Sequence, residues 1–169
     1  MESCYVHLVI LYEYFFKELP KRYTMSTKNI HLLHVEDDSI DRMVIQRVLK
    51  KFPSIANIYQ AQNGEEALSM LRGTNANSPL SPFPNIILAD INMPKMNGIE
   101  FLKELRADER LKRFPVFILT TSNDDQDIAN AYSFNIAGYI IKPLDLTLID
   151  SVFKTLTECW MLCELPSIK

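Results

Sequence analysis

The chain has 169 residues, a length that sets one domain as the prior and can bury roughly two-thirds of the unfolded surface. Its apolar content of 47% is ordinary for a globular protein, and a net charge of -3 supplies no basic surface for nucleic acid. The three cysteines, Cys4, Cys159 and Cys163, have no framework spacing, which argues against a disulfide scaffold and fits a reducing, cytoplasmic setting.

Cys4 to Phe16 is apolar and aromatic, but His7 and Glu13 interrupt it. It is too short to span a bilayer and lacks the basic start and small-residue cleavage site of a signal peptide. Met25-Ser26-Thr27-Lys28 reads as a natural start just before the first strand. Residues 1–28 are therefore read as an N-terminal extension. For residues 1–24 two origins stay open: an upstream start codon, or an amphipathic helix that packs on the domain or a partner.

Ile30 to Val35 reads as a strand ending on Glu36-Asp37-Asp38. Asp38 or Ser39 caps a helix with Ile40, Met43, Val44, Val48 and Leu49 at helical spacing. Ile55 to Ala61 is a second strand, and Asn63-Gly64 turns into a helix over 65–71. Gly73 to Pro84 is rich in turn formers and reads as a surface insertion. Ile86-Ile87-Leu88-Ala89 is a strand buried on both faces that delivers Asp90, followed by loop chemistry at Asn92, Pro94, Asn97 and Gly98. A helix starts after Gly98. Val116 to Leu119 ends on Thr120-Thr121-Ser122, a helix follows over about 125–134, and Gly138 to Ile141 ends on Lys142-Pro143. The last helix runs over about 146–162. It carries Cys159 and Cys163, read as helix-face thiols more readily than as zinc ligands.

Strands alternating with helices at this spacing mean βαβ units. The expected fold is α/β: a flavodoxin-like (βα)5 doubly wound parallel sheet in the order 2-1-3-4-5. The domain is expected over 29–162, with a tail over 163–169.

In that order four strand ends open into one crevice, bringing Glu36, Asp37, Asp90, Thr120 and Lys142 together. Clustered carboxylates need a cation to stay ionised side by side, and hard oxygen ligands favour Mg²⁺. A carboxylate can attack phosphorus to give an aspartyl phosphate. Asp90 is then the nucleophile, Asp37 a metal ligand, Lys142 the counter-charge and Thr120 a hydrogen-bond donor to a phosphoryl oxygen. Taken singly, each of these residues also fits a plainer role, as helix cap or turn former; their joint placement carries the reading.

With these residues, Glu36-Asp37, Asp90 within Asp-Ile-Asn-Met-Pro-Lys-Met-Asn-Gly, Thr120 and Lys142-Pro143, the chain resembles the receiver domain of two-component response regulators. Thr120 lies 30 residues after Asp90 and Lys142 another 22 on, as in that family. The Gly73–Pro84 insertion and the end Glu158 to Pro166 are similar to stand-alone, phytochrome-associated response regulators. The resemblance implies that Asp90 accepts a phosphoryl group from a sensor histidine kinase, phytochrome-like in this subgroup, or from a histidine phosphotransfer protein. It implies Mg²⁺ held by Glu36, Asp37, Asp90 and the backbone carbonyl of Asn92, a cis peptide before Pro143, and a switch made of Thr120 and Tyr139. Output is then by protein contact, with neither DNA nor membrane involved and no turnover beyond self-catalysed phosphotransfer and dephosphorylation. Trp160, Leu162 and Leu165 could pack back onto the core or form a homodimer contact. Glu36 stands where the family more often has Asp; the longer side chain still reaches a metal through water.

Two other functions are weighed. A Mg²⁺-dependent phosphatase with an aspartyl-phosphate intermediate needs a second Asp two residues on as general acid; Asn92 stands there and cannot supply the proton. A flavin protein of this fold needs a phosphate-binding loop after strand 1, and three carboxylates there repel phosphate.

Overall fold

The computed structural model describes residues 28–73, 78–143 and 145–165. Most of the expected N-terminal extension, and the end of the tail, lie outside the described residues. Five parallel strands, β1 (Ile30–Val35), β2 (Ile55–Ala61), β3 (Ile86–Ala89), β4 (Val116–Thr120) and β5 (Gly138–Ile141), form one sheet in the order β2-β1-β3-β4-β5. Five helices alternate with them: α1 (Ser39–Leu49), α2 (Gly64–Arg72), α3 (Gly98–Ala107), α4 (Asp125–Ser133) and α5 (Leu146–Leu162). This is the expected fold and strand order.

The strands are short apolar runs because the sheet is covered on both faces. Every residue of β3 is fully buried. Alternation along the strands sends Leu33, Val35, Ile87 and Ile118 into one core with α2 and α3. Leu32, Leu88 and Leu119 enter another with Ile45, Leu49, Ile149 and Phe153 of α1 and α5. Trp160 belongs to this second core: it is buried and meets Phe117 edge-on, ring centroids 5.5 Å apart. Leu165 packs against the same cluster, whereas Leu162 is exposed. Of the two expectations for the chain end, packing back describes Trp160 and Leu165.

Side-chain caps set the helix starts. Asp38 accepts from the amides of Ile40 and Asp41, and Asn63 from that of Glu66. Asn97 and Glu100 form a reciprocal capping box at α3. The loop before β3 leans on the domain, since the Tyr59 hydroxyl donates to the Pro82 carbonyl at 2.7 Å and Phe83 stacks on Phe114. Among the described residues the cis peptide bond lies between Ser81 and Pro82, and not before Pro143 as the resemblance implied.

Candidate functional site

The carboxyl ends of β1, β3, β4 and β5 converge at one edge of the sheet. β1 ends one residue before Glu36, whose side chain is buried. Asp37 follows, exposed, and β3 ends one residue before Asp90, which is buried. One carboxylate oxygen from each of Glu36, Asp37 and Asp90 lies within 4.8 Å of the others. Three hard oxygen donors this close, two of them on buried residues, fit a small divalent cation.

A protein cation already meets this cluster. The Lys142 ammonium, 9% exposed, donates to Glu36 Oε2 at 2.6 Å, Asp41 Oδ2 at 2.7 Å and Asp90 Oδ2 at 3.1 Å. Burial alone would pull the lysine down, but its bonds to Asp41 and Glu36 and the Asp90 charge hold it above the ordinary lysine range. Burial pushes Glu36 up to about 7, against the pull of Lys142 and with the help of the Asp90 charge. Asp90 is oriented by its own loop: Oδ1 accepts from the amides of Ile91 at 2.6 Å and Asn92 at 3.3 Å. Arg42 of α1 fixes the β1–α1 turn by donating to the carbonyls of Glu36 and Asp37 at 2.6 and 2.7 Å.

Below this cluster His34 is buried in β1 with Nδ1 unpartnered. Burial first, then the Lys142 and Arg42 charges, lower it to about 3, so it stays a neutral imidazole at physiological pH.

Thr120 and Tyr139 form a second group. Ile118 pairs with Tyr139 and Thr120 with Ile141, so Thr120 and Tyr139 share a face of the sheet. Both meet Ser122: its amide donates to Thr120 Oγ1 at 3.3 Å, and the Tyr139 hydroxyl donates to its carbonyl at 3.0 Å. The Ser122 hydroxyl in turn donates to Asp127 of α4 at 2.6 Å. The Lys142 amide donates to the Thr120 carbonyl at 2.7 Å, which ties the two groups through backbone.

Two contributors went unread in the sequence, Asp41 and Arg42. A first-turn Asp and a basic residue beside it are ordinary helix features. The one signal was an acidic residue one turn into α1, beside the strand ends. Gly98 is a further requirement. A Cβ there would overlap the Asp90 carbonyl oxygen and stand 2.8 Å from Ile91 Cα, both backbone atoms. Gly98→Ala is expected to cost about 1–3 kcal/mol in urea unfolding, as overpacking does, by forcing α3 away from the Asp90 loop.

The Response regulator receiver domain family model matches residues 32–154. Response regulator Rcp1 of Synechocystis sp. is 33% identical over 132 residues, 77% of this chain and 88% of Rcp1. A phosphorylated cyanobacterial phytochrome response regulator, RcpA, superposes with a TM-score of 0.74 at 34% identity, covering 82% of this chain and 99% of that one. The Mn²⁺-bound form of Rcp1 gives a TM-score of 0.73 at 31% identity, over 81% and 99% of the two chains. The chain belongs to the response regulator receiver domain family, the signalling modules of two-component systems. Members take a phosphoryl group from histidine kinases in a Mg²⁺-dependent reaction, and the cluster of Glu36, Asp37 and Asp90 is consistent with such a site.

Proposed function

We propose that Asp90 is the phosphoacceptor and that Glu36, Asp37, Asp90 and the Asn92 backbone carbonyl hold Mg²⁺. The observation that carries this is the meeting at one sheet edge of a buried Asp90 with Glu36 and Asp37, one oxygen of each within 4.8 Å of the others, and of the Lys142 ammonium bonded to Glu36 and Asp90. Asp90 Oδ2, the oxygen that the loop amides leave to Lys142, attacks the phosphorus of a phosphohistidine. The P–N bond breaks, and the departing imidazole takes a proton. Mg²⁺ bound there supplies positive charge to the phosphoryl oxygens. Lys142 neutralises one of those oxygens, and the Ile91 and Asn92 amides hold the Asp90 carboxylate in line.

The Thr120 hydroxyl then turns to a phosphoryl oxygen. That turn releases the Ser122 amide, and Tyr139, on the same face and bonded to the Ser122 carbonyl, follows. A charge added at Asp90 thus becomes a changed β4–α4–β5–α5 surface, read by a protein partner. The chain acts once per phosphoryl group and is not a turnover phosphatase. Asn92, exposed beside Asp90, supplies no general acid.

The kinase is of the phytochrome-linked kind or works through a histidine phosphotransfer protein; the likeness to RcpA supports this. Among the described residues no helix is long and apolar enough to cross a membrane, in keeping with a cytoplasmic receiver spanning residues 29–162. Self-association through the chain end would fall to Leu162, the exposed member of its apolar group.

Incubation with Mg²⁺ and acetyl phosphate should yield an acid-stable, base-labile adduct, and a chelator added beforehand should prevent it. Equal labelling with and without the chelator would overturn the metal assignment.

A further inference from the structure

Lys142 raises a problem for its own site. Its two bonds to Glu36 and Asp90 occupy oxygens of the carboxylates proposed to bind the metal. An ammonium held there competes with Mg²⁺ for the same charge. Asp41 offers the lysine a partner of comparable length, 2.7 Å against 2.6 Å, that lies outside the metal-binding set.

Nor is Asp41 spent on its helix. Asp38 already caps α1, taking the amides of Ile40 at 2.7 Å and of Asp41 itself at 2.9 Å. Arg42, the next residue along the chain, is turned to backbone carbonyls. The Asp41 carboxylate sits in the first turn of α1 and reaches across to a residue 101 positions away. Its side chain is 42% exposed, unlike the buried Glu36 and Asp90 that share the lysine with it.

We propose that Asp41 is a positioning residue that draws the Lys142 ammonium off Glu36 and Asp90, freeing those carboxylates for the metal while keeping the lysine beside the phosphoryl position. This rests on the metal and phosphoryl site assigned above. When Glu36 and Asp90 turn to the cation, Lys142 keeps its Asp41 bond and has donors left for the phosphoryl oxygens.

The test is Mg²⁺ titration, with the metal alone, of the full chain followed by amide NMR shifts in the Asp90 loop. Asp41→Asn should weaken Mg²⁺ binding several-fold, and Asp41→Glu should restore most of it. In a Lys142→Met background the same Asp41→Asn change should have a much smaller effect, because no ammonium remains to compete. Equal fold-changes in the two backgrounds would overturn the inference, reducing Asp41 to a distant charge felt through space. A wild-type chain that binds no Mg²⁺ would instead overturn the site assignment, and this inference with it.

Discussion

Asp90→Asn is expected to abolish the acid-stable, base-labile label from acetyl phosphate while leaving the protein folded. The amide keeps the shape of the carboxylate and one oxygen for the Ile91 amide, but it has no oxygen able to attack phosphorus. The crowded carboxylates make the structural outcome equally specific. The Asp90 charge is one of the forces pushing Glu36 up, so removing it relieves repulsion. Thermal unfolding should show a stability equal to wild type or higher. Loss of label together with loss of fold would mean that the residue was structural; a variant labelled like wild type would place the nucleophile elsewhere.

Lys142→Ala should have the second largest effect, and a divided one. Labelling should slow on the order of 10²-fold, the usual result of deleting a donor aimed at developing phosphoryl charge. Mg²⁺ binding, by contrast, should hold or tighten, because a competing cation has gone from Glu36 and Asp90. Stability should fall by about 3 kcal/mol at neutral pH, since a buried Glu36 is left without its ion partner. The sign of the pH dependence follows. Glu36 in the folded chain sits at about 7, above its ordinary value, so its protonated form favours the native state at low pH and this stability is lost as pH rises through 7. Without the lysine, which pulls Glu36 down, that loss is larger. The gap between wild type and Lys142→Ala in urea unfolding should therefore widen from pH 5 to pH 8. A gap independent of pH would contradict the buried-carboxylate account.

How far the site could be read in advance follows from where its residues lie along the chain. Glu36, Asp90, Thr120 and Lys142 each stand at or just past the end of an apolar run, and a parallel sheet brings such ends together. Four residues of β3 with no exposure are legible because nothing polar interrupts them. Asp41 was not legible. A carboxylate in the first turn of a helix already has a local reason to exist, and the bond that gives it a second role spans two elements far apart in sequence. Trp160 was ambiguous for a related reason: an aromatic near the end of a long helix can face a core or a partner, and only the position of Phe117 on β4 decides it. The isomer of a prolyl bond is set by tertiary packing, so the cis bond at Pro82 and its absence before Pro143 had no local signature.

The most direct test of the account is the chemical location of the adduct. Protein labelled with acetyl phosphate and Mg²⁺ is reduced with borohydride, which converts an aspartyl phosphate to homoserine, then digested and sequenced by mass spectrometry. The account predicts homoserine at position 90 and at no other acidic residue. Homoserine at Asp37 or Asp41 with position 90 unchanged, or no reducible adduct under conditions that label other receivers, would contradict it.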